Sequence, residues 1–142
     1  MSSKYLHFVN ALISGCLTLL GFSCDLVNPR VEYGTPNAKF IVNGKVTSVE
    51  TEEAVKNIRV IMKNDTSFTD NEGKYEVVDE GAFPTDQTYT IQFQDFDNES
   101  NGAFNDKDTL VEFKNPEFSH GNGHWYEGET TKEFDIKLTP KK

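Results

Sequence analysis

Apolar and polar residues alternate along most of the chain after residue 37. A period of two is typical of strands that bury one face and expose the other. No window of comparable length has the spacing of an amphipathic helix. The apolar positions of the alternating runs are Phe40, Val42 and Val46; Ile58, Val60 and Met62; Tyr75 and Val77; Tyr89, Ile91 and Phe93; Val111 and Phe113; and Phe134, Ile136 and Leu138.

Short polar segments with turn-forming residues separate these runs. They are Asn43–Gly44, Asp70–Gly73, Glu80–Gly81 and Asn101–Gly102. Gly and Asn readily adopt the backbone conformations that tight turns need. Short strands at this spacing predict an all-β fold, a single sandwich of about seven strands over residues 38–142.

The N-terminal segment has a different pattern. Lys4 is its one cation, no carboxylate precedes Asp25, and an apolar run extends from Ala11 to Ser23. A membrane-spanning helix needs about 20 apolar residues, whereas the apolar part of a secretion signal needs about 7 to 15. The pattern predicts that residues 1–23 are a cleaved signal peptide.

The leader ends in the stretch Leu20–Cys24, which resembles a bacterial lipobox. In that motif a small residue precedes a cysteine whose thiol accepts a diacylglycerol. The resemblance implies a lipid on Cys24 and a chain anchored in a membrane of the cell envelope, with the outer membrane as the expected location. The alternatives are attachment at Cys16 and a leader that is uncleaved or unlipidated. A disulfide between the two cysteines is disfavoured, because no fold in the leader would hold its geometry.

Charge narrows the choice of partners. The chain carries 23 carboxylates and 14 cations, a formal net charge of −9 at pH 7. Affinity for nucleic acid depends on Lys and Arg side chains that displace counterions, so we expect no nucleic-acid partner. A flexible tether between anchor and sandwich is predicted at residues 24–37, which are polar and interrupted by Pro29, Gly34 and Pro36.

Three segments of the predicted sandwich resemble the carboxypeptidase regulatory-like domain. They are Val42–Val46, Ile58–Val60 and Phe68–Tyr75. The resemblance implies a transthyretin-like (prealbumin-like) sandwich. In the resembling pattern Asp70 caps the amides of a hairpin turn, Gly73 takes a positive φ, and Tyr75 turns back into the core.

A second resemblance extends over nearly the whole chain. Glu32–Pro36, Asp95–Asp97, Asn101–Gly102 and the Lys-rich terminus look like small Bacteroidetes lipoproteins described as radical-SAM-associated. It implies an association with a radical enzyme. It does not imply that the chain is that enzyme, because the three cysteines that would hold its cluster are missing.

An acidic stretch in the second half of the sandwich has the spacing of a calcium loop. Calcium takes six to eight oxygen ligands, which one short segment can supply from alternate positions. Ser100 stands where the sharp turn of such a loop favours Gly, and the alternative is a solvated acidic loop between strands. The candidate calcium ligands are Asp95, Asp97, Glu99, Asn101 and Asp106.

Trp125 and Tyr126 form an aromatic pair beside a Gly-rich segment. Such a pair can stack on a sugar ring or a peptide, which would imply a glycan or protein partner that the sequence does not identify. The alternative is that Trp125 closes the end of the sandwich.

No catalytic signature is present in the sequence. It contains no Gly-x-Ser-x-Gly elbow, no His-Glu-x-x-His and no phosphate-binding glycine loop. We therefore expect a non-enzymatic, lipid-anchored accessory or binding module, without a cofactor unless the acidic loop holds calcium. The alternatives are a substrate of radical-enzyme modification, at Gly121–Gly128, and a small envelope hydrolase built from surface carboxylates.

Overall fold

The computed structural model describes residues 3–21, 34–97 and 102–142. The chain forms two compact units, Met1–Gly34 and Thr35–Lys142. The first contains helix α1, Ser3–Gly21. Within the described ranges, no helix combines the length and apolar character needed to cross a membrane. The predicted lipid-acceptor Cys24 and most of the predicted tether lie outside the described residues.

The second unit is built from strands, which we number in chain order. They are β1 Asn37–Ser48, β2 Ile58–Met62, β3 Asp65–Phe68, β4 Lys74–Ala82, β5 Gln87–Asp95, β6 Lys107–Phe113, β7 Ser119–His120, β8 Tyr126–Glu133 and β9 Ile136–Leu138. The first sheet has the order β4-β1-β8-β7, and β9 also pairs with β1. The second sheet has the order β3-β2-β5-β6. The predicted all-β sandwich is confirmed.

The core lies between the inner faces of the two sheets. Apart from Phe134, which is half-buried, every apolar residue of the predicted alternating runs is buried. Burying a large apolar side chain stabilises a fold by about 1.5 to 3 kcal/mol. Phe40 is at the centre of an aromatic cluster, with ring centroids 5.7 Å from Tyr89, 5.1 Å from Phe113 and 5.5 Å from Phe118.

β1 is the central strand of the first sheet. It pairs with β4 in antiparallel orientation, with β8 in parallel over residues 37–43, and with β9 in parallel over residues 46–48. The chain passes from β8 to β9 at Phe134, whose backbone N–H donates to the Asn43 carbonyl at 2.7 Å.

The prediction of a turn at Asn43–Gly44 was wrong, since both residues lie inside β1. A Cβ atom on Gly44 would collide with the backbone carbonyl of Phe134. The glycine is therefore required because another segment passes close to the strand, and no turn is involved. Glu80–Gly81 also lies within a strand, β4, where Gly81 is the extra residue of a bulge and has a φ of 82°.

The turn predicted at Asp70–Gly73 is confirmed. The Asp70 Oδ1 atom accepts hydrogen bonds from the backbone N–H groups of Glu72 at 2.8 Å and Lys74 at 2.9 Å. Gly73 has a φ of 74°, and Tyr75 is buried. The flanking strands belong to different sheets, however, because β3 pairs with β2 and β4 pairs with β1. The turn thus joins the two sheets.

Candidate functional site

An open cleft of about 640 Å³ lies where β1, β3, β4 and the β8–β9 connection meet. Most of its lining residues are polar, and they include four carboxylates and two lysines. The lining includes Asn43, Lys45, Phe68, Lys74, Glu76 and Glu133.

Three of the lining side chains form a row across neighbouring strands. Asn43 of β1 is directly opposite Glu76 of β4 on one side and Glu133 of β8 on the other. Paired residues project from the same face of a sheet, and adjacent strands are about 4.8 Å apart. The two glutamates therefore flank the amide with their Cα atoms about 10 Å from each other. None of the three side chains has a hydrogen bond or ion pair to any residue that the structure describes.

Of the four other charged side chains of the cleft, Asp70, Asp135 and Lys74 have partners among the described residues, and the Lys45 ammonium has none. The Asp70 carboxylate caps the β3–β4 turn, and Asp135 Oδ1 accepts the backbone N–H of Lys45 at 2.7 Å. Lys74 forms an ion pair with Glu72 at 2.5 Å, and this contact raises the pKa of the Lys74 ammonium above its usual value. The four carboxylates of the cleft outnumber its two lysines, and the carboxylates of Glu76 and Glu133 have no partner among the described residues.

One exposed aromatic ring lines the cleft, and a second exposed ring contacts the first. Phe68 lines the cleft, and its ring centroid is 5.5 Å from that of Phe96. Their side chains are 48% and 61% exposed, so both rings present apolar surface to solvent. The guanidinium carbon of Arg59 lies 5.6 Å from the Phe96 centroid, and Arg59 Nε donates to Gln94 Oε1 at 3.1 Å. An aromatic surface thus adjoins a negatively charged one.

A second polar cluster connects the two sheets away from the cleft. Asp79 Oδ2 on β4 accepts a hydrogen bond from the Tyr89 hydroxyl at 2.9 Å and forms an ion pair with Lys63 Nζ at 2.6 Å. Lys63 Nζ also lies 5.1 Å from the Tyr89 ring centroid. Because these three groups satisfy one another, we assign the cluster a structural role.

Alkaline pH is expected to destabilise the sandwich through Tyr89 and Tyr75. Burial is the main cause that raises the pKa of both hydroxyls, with smaller contributions from Asp79 for Tyr89 and Asp135 for Tyr75. An unfolded tyrosine ionises near pH 10, so above that pH the unfolded state loses protons that the folded state keeps. The stability is fully present below about pH 10 and falls as the pH rises further, by at most about 1.4 kcal/mol per pH unit for each tyrosine.

The measurement is the midpoint of thermal unfolding between about pH 9 and about pH 11.5. The variants Tyr75→Phe and Tyr89→Phe should each have a shallower decline than the wild type, whatever stability they lose at neutral pH. Parallel declines for all three proteins would contradict the assignment.

The predicted calcium loop is described in part. Glu99 and Asn101 lie outside the described residues. Asp95 Oδ2 accepts the backbone N–H of Phe104 at 2.8 Å, and Asp97 Oδ2 accepts Asn57 Nδ2 at 2.8 Å. The backbone N–H of Asp95 donates to Asp106 Oδ1 at 3.3 Å. In residues 3–21, 34–97 and 102–142, no three His, Cys, Asp or Glu side chains form a metal-binding group, and the calcium site stays a prediction.

The predicted aromatic pair is located at the start of β8. Trp125 is 37% exposed, and its carbonyl accepts the backbone N–H of Asn37 at 2.7 Å. Tyr126 is half-buried and lines a smaller cavity of about 270 Å³ together with Lys39 and Glu80. A binding role for the pair stays a prediction.

Sequence reasoning did not find the row of Asn43, Glu76 and Glu133. Each is an outward-facing polar residue, and the sequence contains many of these. What distinguishes them is the register of three strands that are far apart in the chain. No protein-family model and no curated protein matches the chain.

Proposed function

We propose that the chain is a non-enzymatic binding module of the cell envelope, held at the membrane by a lipid on Cys24 and taking a partner in the cleft. The observation that carries the binding role is the row of Asn43, Glu76 and Glu133. These side chains border an open cavity and have no partners in the described part of the chain. A ligand would supply the partners that polar groups otherwise find in water.

The leader and the lipobox resemblance support the envelope location. Several acyl chains on one cysteine would anchor a protein stably, whereas a single chain binds reversibly. The resemblance to radical-SAM-associated lipoproteins supports an accessory role beside a radical enzyme. In that setting the anchor would concentrate the sandwich at the membrane surface.

Site-specific photo-crosslinking in cells tests the binding role. Lys45 is exposed and lines the cleft, so a benzoylphenylalanine at this position should form a discrete crosslinked product. The matched control is Lys114, another exposed lysine, which does not line the cleft. Adding Glu76→Gln and Glu133→Gln should lower the yield from position 45.

Two results would contradict the binding role. Position 45 would give no product, or the same products in the same yield as position 114. Melting temperatures of the labelled proteins must be within a few degrees of the wild type, so that misfolding does not produce either result.

A further inference from the structure

The charged residues of the cleft indicate the charge of the ligand that it would bind. The cleft contains four carboxylates and two lysines. The Lys74 ammonium pairs with Glu72, whereas the Lys45 ammonium forms no ion pair with a described residue. Lys45 and Lys74 face each other two residues along β1 and β4 from Asn43 and Glu76, but neither lysine forms an ion pair with Glu76 or Glu133. Each added negative charge in the same concave surface raises the local attraction for cations.

The spacing of the two glutamates distinguishes between kinds of cation. Calcium requires six to eight oxygens at about 2.3 to 2.6 Å from one point. Two carboxylates whose Cα atoms are about 10 Å apart, with one amide between them, supply too few oxygens for this. A guanidinium or ammonium group presents several N–H donors that diverge from its centre, and carboxylates on either side can accept them.

The aromatic residues beside the acidic row indicate that the ligand also carries apolar groups. Phe68 presents an exposed ring in the same cleft as the acidic row, and it contacts Phe96, which already has the Arg59 guanidinium over its face. Aromatic faces attract cationic groups and also remove apolar side chains from water. A ligand that combines positive charge with apolar groups would use both surfaces.

We propose that the cleft binds a basic segment of a partner polypeptide, with a Lys or Arg side chain held between Glu76 and Glu133 and its apolar neighbours against Phe68. This inference rests on the binding role proposed above and names the chemistry of the partner. Charge complementarity supports it over the whole molecule as well, since the chain has a formal net charge of −9.

Titration calorimetry on the full-length protein in a non-ionic detergent tests the inference. The probe is N-acetyl tetra-arginine amide, and its neutral isostere is the corresponding tetracitrulline peptide. Tetra-arginine should bind, with an affinity at least about tenfold higher than that of tetracitrulline, because charge-assisted hydrogen bonds are about twice as strong as neutral ones. Glu76→Gln and Glu133→Gln should each weaken binding by about fivefold. Added salt should weaken it further, because it screens exposed charges.

The matched control removes the same charge from the same two strands. Glu80 on β4 and Glu129 on β8 face each other across Lys39 of β1, as Glu76 and Glu133 do across Asn43. They lie four residues along their strands from the acidic row, about 13 Å away. The double variant Glu80→Gln, Glu129→Gln should bind tetra-arginine within about twofold of the wild type, because it changes the net charge and leaves the cleft intact.

Three results would overturn the inference. They are the absence of tetra-arginine binding, equal binding of tetracitrulline, and an equal loss of affinity in the control double variant. If one of them occurs while position 45 still crosslinks in cells, the cleft binds a ligand of another class and the binding role stands. If the crosslink is missing as well, the binding role itself is contradicted.

Discussion

Replacement of Gly44 by alanine should destabilise the sandwich by roughly 3 kcal/mol, at the upper end of what overpacking costs. The new methyl group would lie 2.0 Å from the Phe134 carbonyl oxygen, which is backbone and cannot rotate away. The β8–β9 connection would have to move out. It would then lose the hydrogen bonds that join Phe134 to Asn43 and Asp135 to Lys45.

The free energy of unfolding by denaturant measures this effect. Asn43→Ala is the matched control, because it changes the adjacent residue of the same strand and removes a side chain without a described partner. Its effect should be within about 0.5 kcal/mol. If Gly44→Ala were as stable as Asn43→Ala, this result would contradict the close contact between the β8–β9 connection and Gly44 of β1.

Replacement of Cys24 by alanine should remove the lipid completely. The intact mass of the native protein, extracted with detergent, should correspond to residues 24–142 plus a lipid. The Cys24→Ala protein should lack this lipid mass, because alanine has no thiol to acylate. The effect is all-or-none, since no other cysteine remains in the chain once the leader is removed.

Cys16→Ala provides the control for the anchor. If Cys24 is the acceptor, residue 16 leaves with the signal peptide, and the mature mass of Cys16→Ala should equal that of the wild type. If Cys16 were the acceptor, Cys16→Ala would lose the lipid, and Cys24→Ala would keep it on a chain that begins at residue 16. A wild-type mass without lipid would exclude both and contradict the proposed anchor.

The core could be predicted because its residues carry a strong local signal. In β2 and β5 the alternation of large apolar with polar side chains identifies the inner face directly, and Val60 and Ile91 are fully buried. The turn at Asp70–Gly73 was equally clear, since its capping carboxylate and its glycine are neighbours in sequence.

β8 could not be predicted, because it has almost no apolar side chains. Its sequence is YEGETTKE, and only Gly128 is buried in it. The strand forms because its backbone pairs with β1. Nearly every residue type can form backbone hydrogen bonds, so this pairing cannot be recognised from the side chains. The acidic row of the cleft could not be predicted for the same reason. Glu133 is at the end of β8, and without that strand nothing aligns it with Glu76.

The pairing of β1 with β8 and β9 determines when the first sheet can be completed. Among the strands of the described residues, β1 is the first to be synthesised, and two of its three partners are the last. Between Ser48 and Leu138 the ribosome adds about 90 residues, which takes about 5 to 20 s at typical rates. During that time β1 has no parallel neighbour, and the sandwich stays open. An N-terminal leader would therefore reach the export machinery many seconds before the domain behind it could close.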